Sequence, residues 1–171
     1  DWIELRNVGP ASVNLAGWSL SDSGDPRKFV FPTGVTLNVG EYLVVWCDAT
    51  QPASTSAGPD LNTGFGLDRS GETVFLYDSN SNRVDAVSFG PQLADYSIGR
   101  IGGNWTLTLP TAGLVNQAAP IAGTGNLVLN EWLANAPPGG ADWIELHNVS
   151  SSLPVGLQGI YLGTSNTLCQ V

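Results

Sequence analysis

Short apolar runs separated by turn residues carry the pattern of this chain. Long stretches with a 3.6-residue apolar period are absent, and runs rich in Val, Ile, Leu, Phe, Tyr and Trp alternate with Gly, Pro, Asn and Ser clusters. That pattern reads as all-β. The first run, residues 2–8, puts Ile3 and Leu5 on one face and Glu4 and Arg6 on the other, and Gly9-Pro10 ends it. A strand over 17–21 follows Val13 and Leu15, and the short run 29–31 stops at Pro32. Residues 41–47 form the strongest run. Both of its faces are apolar, which predicts a central strand covered on both sides, with Trp18 and Trp46 in the core. Residues 50–59, rich in Ser, Ala and Pro, read as a surface loop. A hairpin pairs 73–77 with 84–89 through Asp78-Ser79-Asn80-Ser81-Asn82, residues that tolerate left-handed backbone. Runs 96–100 and 105–109 complete this part, and 110–125 reads as an exit segment and linker.

The pattern repeats itself. Asp1-Trp2-Ile3-Glu4-Leu5-Arg6-Asn7 returns as Asp142-Trp143-Ile144-Glu145-Leu146-His147-Asn148, 141 positions on, and Leu15-Ala16-Gly17-Trp18-Ser19-Leu20 is echoed by Leu157-Gln158-Gly159-Ile160-Tyr161-Leu162. A period of that size is a whole domain. The expected division is a unit over 1–117, a linker over 118–125 and the start of a second repeat over 126–171. The second copy opens with the apolar run 127–133, which has no counterpart before Asp1. We expect that run to fill an open place in a first-unit sandwich, within one molecule or by strand exchange into a homo-oligomer.

Composition narrows the partners. Fifteen Asp and Glu against six Lys and Arg give a formal charge of −9, which repels nucleic-acid backbones and leaves no basic patch for anionic lipid. No apolar run is long enough to insert in a membrane. Only 12% of residues are charged, a mix that suits an extracellular β-rich module. We read the chain as a piece of a longer protein. Two cysteines, Cys47 and Cys169, are too few for a disulfide framework and lack metal-site spacing. Cys47 reads as a small buried hydrophobe, and the sequence leaves open whether the two pair.

The ordered motifs Asp1-Trp2-Ile3-Glu4-Leu5, Leu15-Ala16-Gly17-Trp18-Ser19-Leu20-Ser21-Asp22, Phe29-Val30-Phe31-Pro32 and Leu37-Asn38-Val39-Gly40-Glu41-Tyr42-Leu43-Val44-Val45-Trp46 resemble the lamin tail domain family. Tyr96-Ser97-Ile98-Gly99-Arg100 and Pro110-Thr111-Ala112-Gly113-Leu114-Val115-Asn116 are similar to its bacterial branch. The resemblance implies an immunoglobulin-like β-sandwich. It also implies a non-catalytic interaction or structural module, often in tandem, of large secreted or cell-surface proteins. Protein partners or neighbouring repeats follow from it, with no cofactor and no catalytic residues to carry over.

Candidate chemistry is sparse. His147 is the sole histidine and is matched by Arg6 in the first copy, so it reads as an outward strand residue rather than part of a triad. Glu131, Asp142 and Glu145, with Asp1 and Glu4 in the first copy, could gather carboxylates for Ca²⁺, but outward strand positions for Glu4 and Glu145 and loop ends for Asp1 and Asp142 are the better reading. The 78–82 stretch opens like a calcium loop but has Arg83 where Gly is needed and Phe89 where Glu is needed. Asn104-Trp105-Thr106 and Asn148-Val149-Ser150 match the glycosylation sequon and are idle in a bacterial source. Trp2, Trp132 and Trp143, set beside polar residues, are the candidates for exposed contact. They keep a second reading alive, a carbohydrate-binding module accompanying an extracellular hydrolase.

Overall fold

The computed structural model describes residues 1–163, so Cys169 and its pairing lie outside the described residues. The chain divides into two compact units, Asp1–Ala118 and Ala119–Val171. The first holds twelve strands: β1 (Trp2–Arg6), β2 (Val13–Asn14), β3 (Ser19–Ser21), β4 (Phe29–Val30), β5 (Thr36–Leu37), β6 (Tyr42–Trp46), β7 (Leu61–Asn62), β8 (Glu72–Tyr77), β9 (Arg83–Phe89), β10 (Ser97–Ile101), β11 (Asn104–Leu109) and β12 (Gln117–Ala118). It is an all-β, immunoglobulin-like sandwich. One sheet runs β1-β6-β7 and the other β4-β3-β8-β9, with β2-β5 and β10-β11-β12 as smaller sheets. Alternation along the strands sends one set of side chains between the sheets. Leu20, Phe29, Phe31, Val45, Cys47 and Leu61 are buried there, and Ile3, Leu5 and Leu76 pack against them.

Three details differ from expectation. The β6 strand does lie centrally, between antiparallel β1 and parallel β7. Its burial is one-sided, however: Val45 and Cys47 are buried, whereas Trp46 is 44% exposed and belongs to the outer face, not the core. An apolar outer face on β6 pairs sideways with β1, where Trp2 stands opposite Trp46, so it needs no covering layer to gain apolar contacts. The β7 strand ends a polar loop and carries no apolar alternation. It is held by Asn62, whose Nδ2 lies 3.0 Å from the Asp48 carbonyl and whose Oδ1 accepts from the Asp48 N–H at 2.9 Å. Lastly, 110–118 is structured. Gly113 donates its N–H to Glu4, Asn116 donates to the Arg100 carbonyl, and β12 pairs with β11.

The hairpin between β8 and β9 forms as its turn chemistry predicts. Asp78 Oδ1 accepts from the N–H groups of Asn80 and Asn82, and Ser81 takes the left-handed conformation at φ 63°. The second unit contains a 3₁₀ turn at Thr124–Asn126 and two strands, β13 (Leu127–Leu133) and β14 (Trp143–Asn148). These pair antiparallel with a bulge between Leu129 and Glu131. Ala122 bridges Val155 within the same unit, so the Gly- and Ala-rich stretch also carries order.

Candidate functional site

The repeated motif builds an edge strand. The Cys47 N–H donates to the Asp1 carbonyl at 2.9 Å and the Asn7 N–H to the Glu41 carbonyl at 3.1 Å. Residues in an antiparallel ladder alternate, so Ile3 and Leu5 also turn their backbone groups to β6. The N–H and C=O groups of Trp2, Glu4 and Arg6 face the other way, where no strand among the described residues pairs with them. Strand β1 lines an open cleft of about 1430 Å³, together with Val74, Leu76, Val87, Phe89 and Ile98. An unpaired ladder next to apolar side chains is a template for another extended segment.

Both ends of β1 are fixed by side chains. Asn7, buried, donates from Nδ2 to the carbonyls of Ala11 (2.8 Å) and Leu37 (2.9 Å) and accepts at Oδ1 from the Gly9 N–H (2.9 Å). Asp1 Oδ2 accepts from the Leu67 N–H at 3.3 Å. Glu4 points outward and accepts from the Gly113 N–H at 2.6 Å. Burial raises the Glu4 carboxyl above its ordinary value, opposed by the Gly113 N–H and by Arg6.

The second copy makes the same arrangement visible with its neighbour in place. Asn148 donates to the Leu153 carbonyl (2.8 Å) and accepts from the Ser150 N–H (2.9 Å), as Asn7 does in its own turn. The Asn148 sequon side chain is thereby engaged in its turn. The Val149 N–H donates to the Asn126 carbonyl at 2.8 Å, so alternation turns His147, Glu145 and Trp143 toward β13. Those three are the counterparts of Arg6, Glu4 and Trp2, the residues whose backbone faces open space in β1.

The predicted contact residues divide. Trp132 (69% exposed) and Trp143 (43%) are open, whereas Trp2 is half-buried against its neighbours. Trp105, 47% exposed, was not singled out from sequence, and the Arg100 guanidinium lies 4.6 Å from its ring centroid. Glu131 and Glu145 stand opposite each other across the β13–β14 pair, and Asn130 Nδ2 donates to Glu145. Asp142 instead accepts from the Ala136 N–H at 3.1 Å, closing its own loop. Among the described residues no three His, Cys, Asp or Glu side chains converge on a point that could hold a metal. His147 is exposed on β14. Burial pushes the Cys47 thiol up to about 11, which keeps it protonated and inert.

What sequence reasoning missed is the motif asparagine. Its signal was present, since Asn7 and Asn148 hold the same place after the Ile-Glu-Leu run in both copies.

The family model for the Lamin Tail Domain matches residues 1–91. This chain belongs to the lamin tail domain family. The family consists of non-catalytic, immunoglobulin-like modules, in keeping with the sandwich of the first unit. No curated protein and no solved structure matches the chain. The matched span runs from β1 through β9, so it takes in both main sheets.

Proposed function

We propose that this lamin tail domain chain serves as a structural, protein-interaction module of a larger secreted or cell-surface bacterial protein. The observation that carries the reading is the family match together with the motif that forms β1 in the first unit and β14 in the second. The low charge density and the bacterial-type motifs around Ser97–Ile101 support the extracellular placement.

The test is a peptide array and a glycan array probed with the 171-residue chain: peptide binding supports the reading, and binding to glycans alone contradicts it.

One observation favours the carbohydrate reading as an alternative. The outward pair Trp2 and Trp46 and the Arg100-capped Trp105 present aromatic faces of the kind that stack on sugar rings. Glycan-array binding that disappears in Trp46→Ala and Trp105→Ala would select it.

A further inference from the structure

We draw no further inference here: the strongest candidate, the outer face of the β1–β6 pair, where exposed Trp46 stands opposite Trp2 and the Arg6 guanidinium lies over the Tyr42 ring, is an apolar sheet face and nothing in the structure shows what covers it.

Discussion

At the scale of single residues, the motif asparagine does more than any charged group. Asn7 joins the turn after β1 to the β5 carbonyl at Leu37, from a position only 6% exposed. Asn7→Ala leaves buried carbonyls without a donor, so we expect a loss of about 2–3 kcal/mol in urea unfolding. The acidic residues divide by the sign of their effect. Asp48, Asp68 and Asp78 lie below the ordinary carboxylate value because Thr50, Ser70 and Asn82, respectively, donate to them. Each contributes stability above its unfolded value that is lost as pH falls through its folded value. Glu4 acts the opposite way: burial raises it, so its contribution is fullest at low pH and is lost as pH rises through its folded value. NMR titration should place the Glu4 midpoint above 4.5 and those three aspartates below 3.8. A Glu4 midpoint below 4.5 would show that the Gly113 bond outweighs burial.

At the scale of elements, what could be read from the sequence tracks how local the determinant is. The β8–β9 hairpin was legible because Asp78 and its neighbours build the turn from their own side chains. The faces of β1 were legible from alternation alone. The setting of β6 was legible only in part: apolar residues on both faces say that it is central, but not that Trp46 would find its contacts sideways at Trp2. The parallel β7 strand was invisible, because Asn62 binds it to a distant loop through bonds no periodicity records. Gly71 adds a local constraint at the start of β8. It has φ +114°, and a Cβ there would lie 2.6 Å from the Phe89 carbonyl oxygen. We expect Gly71→Ala to cost about 2 kcal/mol or more and to lower the melting temperature. Proline scanning separates the two sides of β1. Leu5→Pro breaks a bond to β6 and should cost about 3 kcal/mol, whereas Arg6→Pro keeps those bonds and should cost less, losing the Arg6 guanidinium over the Tyr42 ring.

At the scale of the whole molecule, the duplicated motif appears in two settings. In the first unit it turns Ile3, Leu5 and Asn7 to β6 and leaves its other side open. In the second it turns Trp143, Glu145 and His147 to β13. The duplication itself was plain in the sequence. Which side each copy would use was not, because the same residues serve either neighbour and only the pairing partners decide. The family and the non-catalytic character of its modules rest on the first unit, whose residues 1–91 carry the family match. In this chain β1 pairs with β6 through Ile3, Leu5 and Asn7, and the backbone of Trp2, Glu4 and Arg6 has no strand partner among the described residues. Residue-resolved hydrogen exchange on dilute monomer tests it most directly. We expect slow exchange for the amides of Ile3, Leu5 and Asn7 and fast exchange for those of Glu4 and Arg6. Equal protection along β1 in the free monomer would contradict it.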